Sequence, residues 1–284
     1  MSLTVGHIPY LNCAPFFHHL PDCGFSGSLV RDVPTRLNAL LAAGRIDLAP
    51  ASSFEYGCHA DRYRLLPGLS ISSVGAVQSV LLLAADAIES LRDRTIAVTD
   101  DSATSVALLR VLLQEWYGFA GRLAVYPTSE VERIIAAGGA GLLIGDRALR
   151  AGLSGAAPYI YDLARLWHEY TGLPFVFALW IVHRRAAETK AAEILSFTGR
   201  LQASLQRAQE DYAALAQHLA KESGFNETAL VAYWEAMSYN FGETHRQGLD
   251  LFFRLAVRHG LLPAAPPLRF LDEPFSVDAF KGIT

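Results

Sequence analysis

The chain has 284 residues, 51% of them apolar, and a net charge of −4. That is enough apolar material for a sizeable core in one large domain or two lobes. The balance is mildly acidic with no Lys/Arg block, so no basic stripe of the kind that holds nucleic acid is present, and no apolar run approaches the roughly 18 residues of a membrane span.

In chain order, "LTVGHI" (3–8) reads as a first strand ended by Pro9. "VPTRLNALLAAG" (33–44) reads as a helix: Pro34 sits near its start, Leu37, Leu40 and Leu41 share a face, and Gly44 ends it. "RIDLAPASS" (45–53) is a strand running into serines, which completes a strand-helix-strand unit of the parallel-sheet type. "LSISSVGAVQSV" (69–80) places four serines and a glycine around a strand, and "SVLLLAA" (79–85) is a buried strand. "RTIAVTDDSATSVALLRVLLQEW" (94–116) reads as strand, polar turn and helix. "GLLIGDRAL" (141–149) is a strand and turn, and "FVFALWIVHR" (175–184) a long strand. From about 186 to 262 the pattern reads as helical throughout. The helical run is expected to be structural and could also present a homodimer face.

The two long apolar strands flank a self-contained α/β stretch of roughly 90 residues. This predicts a discontinuous first lobe (1–86 and 178–284), a second lobe (87–177), and a ligand in the cleft at the carboxyl ends of the strands. The three cysteines, Cys13, Cys23 and Cys58, show no CxxC and no metal spacing. "MSLTVGHIPY" has neither a basic n-region nor a long apolar h-region. Reduced thiols in a cytoplasmic protein are therefore expected. The nine histidines form no HExxH and no i, i+4 pair, so no metal site is expected.

Several strand ends carry neutral donors rather than a Lys/Arg clamp. "DDSATSVALL" (100–109) opens a helix whose free N–H groups and dipole favour an anion, with Thr104 and Ser105 adding hydroxyls; two acidic residues just upstream oppose this unless they point away. "LAPASSFEY" adds Ser52 and Ser53. No G-x-S-x-G elbow supports serine hydrolysis, and "AAGGAG" (136–141) lacks the G-K-[ST] of a phosphate loop. In "GHIPYLNCAPFF" (6–17) two prolines bracket a single amide, Asn12, directly after the first strand.

Six stretches, "GHIPYLNCAPF", "ASSFEY", "LLPGLSISSVGAVQSVLLL", "DDSATSVALL", "LLIGDRAL" and "TGLPFVFALW", stand in an order and spacing similar to one family. The chain resembles the chorismate dehydratases of the futalosine route to menaquinone, over about residues 3 to 260. The resemblance implies an α/β fold of the type II periplasmic-binding-protein class, two lobes joined by two crossover strands with the active site between them. It also implies dehydration of chorismate to 3-[(1-carboxyvinyl)oxy]benzoate, with no cofactor. The family's asparagine falls on Asn12, its serine after the "G-x-V" turn on Ser79, and its Thr-Ser pair on Thr104 and Ser105. Asn12 is expected to be catalytic; Ser52, Ser53, Ser79, Thr104, Ser105 and Asp146 are expected to bind substrate. Gly57 and Cys58 follow "FEY".

Two alternatives stand beside this. A sister enzyme on a similar fold forms 1,4-dihydroxy-6-naphthoate, but its family has a histidine after the "G-[LI]-I-I" strand, where this chain has Gly145 and Asp146. The other is a non-catalytic solute-binding protein. No motif residue offers a convincing base, so the expected mechanism is substrate-assisted: the enolpyruvyl carboxylate takes the ring proton, and Asn12 orients it.

Overall fold

A computed structural model describes residues 2–271. Eleven strands form two mixed sheets: β1 (Thr4–His7), β2 (Ser28–Arg31), β3 (Leu48–Ser52), β4 (Tyr63–Ser73), β5 (Val80–Ala84), β6 (Thr95–Thr99), β7 (Arg122–Tyr126), β8 (Ala140–Ile144), β9 (Tyr159–Asp162), β10 (Phe175–His183) and β11 (Met237–Phe241). The six-stranded sheet runs β11-β4-β10-β3-β1-β2, and the five-stranded sheet runs β7-β6-β8-β5-β9. β1 pairs in parallel with β2 and β3, while β10 runs antiparallel to β3 and β4. In the second sheet β6 is parallel to β7 and β8, and β5 is antiparallel to β8 and β9.

The interior strands are apolar because both of their faces are covered. Every residue of β5 is buried, as are the first four of β3, the pattern of strands packed on both sides. The largest apolar cluster runs without a break from Leu37 and Leu41 under the first sheet to Val98, Leu108 and Leu112 under the second. A smaller cluster, including Leu83, Val131 and Leu143, covers the other face of the five-stranded sheet.

Sheet membership sets the boundaries. The six-stranded sheet is built from residues before 74 and after 174, and the five-stranded sheet from 80 to 162. The sequence reading put these limits at 86 and 178. It differs because "SVLLLAA", assigned to the first lobe, pairs wholly with β8 and β9. The expected all-helical stretch after residue 186 is interrupted by β11, whose residues Met237, Tyr239 and Phe241 are buried in alternation as they pair with β4.

The first crossing, residues 74–79, is fastened by one carboxylate. Asp162 accepts from the N–H groups of Val77 (2.9 Å) and Gln78 (2.6 Å), and also caps the helix Leu163–Thr171 through Ala164 (3.0 Å) and Arg165 (3.1 Å). Gln78 has φ +62, the one non-glycine residue among those described in the left-handed region. This turn places Ser79 at the head of β5.

Candidate active site

Between the strand ends lies a cavity whose lining comes from both sheets. Asn12, Ser52, Ser79, Thr104 and Ser105 all line it. Two expected members do not. Ser53 is fully buried and donates to the carbonyl of Val176 (2.8 Å), because the helix it opens (Ser53–His59) turns it into the sheet. Asp146 lies behind the wall, on a separate groove, where its Oδ1 accepts from the N–H of Leu11 (3.1 Å). Burial raises the Asp146 carboxyl above its ordinary pKa, against the opposing Leu11 N–H and the charge of Arg150.

The segment carrying Asn12 is a 3₁₀ turn, Leu11–Cys13, leading into a short helix, Ala14–Phe17, with Pro15 in its first turn. Its backbone is held from four sides. Leu11 N–H donates to Asp146, the Leu11 carbonyl accepts from Trp234 Nε1 (2.8 Å), the Asn12 carbonyl accepts from Tyr239 OH (3.0 Å), and Cys13 N–H donates to the Tyr10 carbonyl (2.9 Å). The side chain is left out of this set: Asn12 Oδ1 is buried with no hydrogen-bond partner. Buried acceptors are normally paired, and an exception beside a cavity points to a ligand.

The hydroxyls on the wall are paired with each other. Ser52 Oγ lies 2.6 Å from Thr104 Oγ1, and Thr104 in turn donates to the Phe177 carbonyl (3.2 Å). Ser52 Oγ also caps its helix by accepting from Glu55 N–H (3.2 Å), and Phe54 N–H donates to Thr104 (3.3 Å). The relay Ser52→Thr104→Phe177 commits both protons. At the start of the helix Ala103–Glu115, Ser102 Oγ accepts from Ser105 N–H (3.2 Å) and donates to Ser105 Oγ (2.8 Å). The proton of Ser105 stays free, as do the N–H groups of Ala103 and Thr104, which have no carbonyl behind them in the helix. Ser79 is similar. Its Oγ accepts from the buried Tyr233 hydroxyl (2.9 Å), and burial raises the Tyr233 pKa so that the phenol remains a donor. Ser79 therefore turns its own proton elsewhere.

The acidic pair before the helix is accommodated. Asp100 is exposed. Asp101 lines the cavity, but its Oδ2 accepts from Thr128 (2.7 Å) and Thr99 (3.2 Å). The lining residues not picked out from the sequence include Tyr10, Asn38 and Phe177. For Asn38 a signal existed, an amide inside an otherwise apolar helix stripe. Tyr233, behind Ser79, carried none. Burial and two carboxylates, Asp101 and Asp146, push the Tyr10 phenol up to about 12. Its ring also packs on Gly145, which has φ +60 and where an added Cβ would lie 3.2 Å from the ring. A side chain there would be strained twice over, so this position is built for glycine. Among the described residues no His, Cys, Asp and Glu side chains converge in threes as a metal site.

This arrangement of two sheets around a cleft is shared with solved structures. A protein of Archaeoglobus fulgidus matches with a TM-score of 0.72 at 19% identity, covering 92% of this chain and 98% of that one. The alkanesulfonate-binding protein SsuA of Xanthomonas axonopodis pv. citri matches with a TM-score of 0.70 at 17% identity, covering 95% and 96%. The periplasmic aliphatic sulphonate binding protein of Escherichia coli matches at 0.68 with 15% identity, covering 95% and 97%. The fold is that of the periplasmic-binding-protein class. Within it, the chain belongs to the menaquinone biosynthesis family, whose model matches residues 3–258. The chorismate dehydratase of Thermus thermophilus is 35% identical over 260 residues, covering 86% of this chain and 91% of the relative. That of Campylobacter jejuni is 33% identical over 183 residues, covering 62% and 66%.

Proposed function

We propose that this chain dehydrates chorismate to 3-[(1-carboxyvinyl)oxy]benzoate on the futalosine route to menaquinone, with the two sheets as the lobes of a ligand clamp. The observation that carries the reading is Asn12, an amide fixed through its backbone with a buried, unpartnered oxygen at the cavity. The three free thiols and the biosynthetic family support a cytoplasmic setting.

The reaction removes the proton from the ring carbon bearing the ether, and hydroxide from the next carbon. The first step sends charge into the conjugated ring carboxylate; the second makes the ring aromatic. The helix start supplies neutral donors for that charge: the Ser105 hydroxyl and the N–H groups of Ala103 and Thr104. Ser79, held by Tyr233, supplies one more. The enolpyruvyl carboxylate acts as the base, and the Asn12 amide N–H holds it toward the ring proton. Before transfer the carboxylate offers no donor to Asn12 Oδ1; after transfer its new O–H does. The orphaned oxygen is thus satisfied only as the proton moves, a contact stronger in the transition state than in the ground state. The same proton leaves with the hydroxide as water.

Incubating the purified chain with chorismate and following the aromatic product by absorbance tests the activity. Chorismate persisting unchanged would refute it. An analogue lacking the enolpyruvyl carboxylate is expected to bind and not to be aromatised; aromatisation at a comparable rate would require a protein base.

A further inference from the structure

Resting on that reading, we infer that Asn38 is a second substrate-contacting amide, and that it receives the ring hydroxyl of the substrate. Asn38 belongs to the helix Pro34–Ala42. Leu37 and Leu41, four residues apart, face the core; Pro34 and Asn38, also four apart, form the neighbouring stripe and line the cavity. Asn38 is only 8% exposed, and its Oδ1 is buried without a partner. Asparagine is a poor residue for a helix interior, and nothing in the fold uses this one: it caps no helix end and no protein donor reaches its oxygen. The cavity therefore has two orphaned amide oxygens, on Asn12 and Asn38, while the hydroxyls that line it are bonded within the protein.

The chemistry of chorismate assigns the partner. Its two carboxylates are ionised and, like the ether oxygen, only accept hydrogen bonds. The ring hydroxyl is the one donor the ground-state substrate has. An amide oxygen that must be satisfied on binding can take only that group. Accepting from the hydroxyl fixes its orientation without making it a better leaving group, so Asn38 acts in binding and selection rather than in bond breaking. It discriminates chorismate from molecules of the same shape that lack the hydroxyl, because such a ligand leaves the oxygen buried and unpaired.

The test uses the full chain, chorismate, and the analogue lacking the ring hydroxyl as a competitive inhibitor. For the wild type the analogue is expected to bind about tenfold or more weakly than chorismate. Asn38→Leu and Asn38→Ser are each compared with it. For Asn38→Leu, KM is expected to rise about tenfold, the loss of one neutral hydrogen bond, with kcat within about threefold. The preference for chorismate over the analogue should disappear. Asn38→Ser, which keeps a shorter acceptor, should retain part of that preference. In the ligand-free protein Asn38→Leu should melt no lower than the wild type, and on the order of 2 °C higher, since it removes an unmet acceptor. A structural role would show the reverse. An unchanged KM, or a preference for the hydroxyl that survives in Asn38→Leu, would overturn the assignment; so would a lowered Tm in both variants with the preference intact. A wild-type chain inert on chorismate is a different outcome: it would refute the functional reading itself, and this assignment with it.

Discussion

The amides and the hydroxyls around the cavity follow opposite rules. Asn12 and Asn38 have side-chain oxygens that are buried and unpaired. Ser52, Thr104, Ser102 and Ser105 bond to each other and to backbone, and Ser79 accepts from Tyr233. A buried acceptor without a donor lowers stability until something binds, by about 1–3 kcal/mol. A closed hydroxyl network contributes stability with or without ligand. The amides are therefore satisfied by substrate, while the hydroxyl network holds its own shape and offers only the protons left over. Residues alike in polarity and position serve opposite ends, and substitution should separate them: amide variants lose activity and keep stability, whereas hydroxyl variants lose stability first.

The largest expected effect is at Asn12. Asn12→Ala should lower kcat about 100-fold, as loss of a near-attack geometry does, with an unchanged Tm. Asn12→Asp should be no better near neutral pH, since a second carboxylate faces that of the substrate. Steady-state kinetics with thermal melts check both; a large fall in Tm would make Asn12 a structural residue. Next is Tyr233→Phe, which frees the Ser79 hydroxyl to turn. We expect about tenfold lower kcat/KM, and little further loss when it is added to Ser79→Ala; full additivity in that cycle would show the two hydroxyls to be independent. Thr104→Val keeps the side-chain shape and removes the link from Ser52 to Phe177. It should lower stability by about 1–2 kcal/mol in urea titrations and shift KM less than about threefold. A larger KM effect with intact stability would return Thr104 to direct binding. The smallest effect belongs to Asp101→Asn, expected to stay within about threefold of wild-type turnover because substrate supplies the base. A loss of a hundredfold or more would identify Asp101 as the base and remove the need for the substrate's carboxylate.

What could be read from the sequence follows burial. The interior strands, covered on both faces, appear as unbroken apolar runs such as "VLLLA" and "FVFALW", and all of these were found. The strands that escaped were β2, β7, β9 and β11, which are the outer strands of the two sheets. β2, β7 and β9 are short and half-exposed, with burial that neither alternates cleanly nor runs on. β11 does alternate, but it lies between helices whose pattern swamps five residues. At the site, the residues at strand ends and the helix start were legible because turn chemistry and capping mark them. Tyr233 was not, because a partner some 150 residues away leaves no local trace; Asn38 left one, an amide among apolar helix residues, that does not by itself say a cavity lies beside it. Ser53 and Asp146 failed for a related reason: a residue type and a position next to a strand end do not say which way the side chain points.

The clamp at Asp162 bears on how chains of this kind vary in length. Four backbone N–H groups converge on one carboxylate, two from the first crossing and two from the helix that follows β9. A residue inserted between Val77 and Ser79 would break two of those bonds and turn Ser79 away from Tyr233. One inserted at Val74–Ala76 would disturb only the bond from Ser73 Oγ to the Gly75 carbonyl (3.1 Å), since Val74 is 59% exposed and Gly75 has open space about it. Insertions, such as engineered tags or reporter loops, are therefore expected to be tolerated in the first half of the crossing and to be harmful in the second.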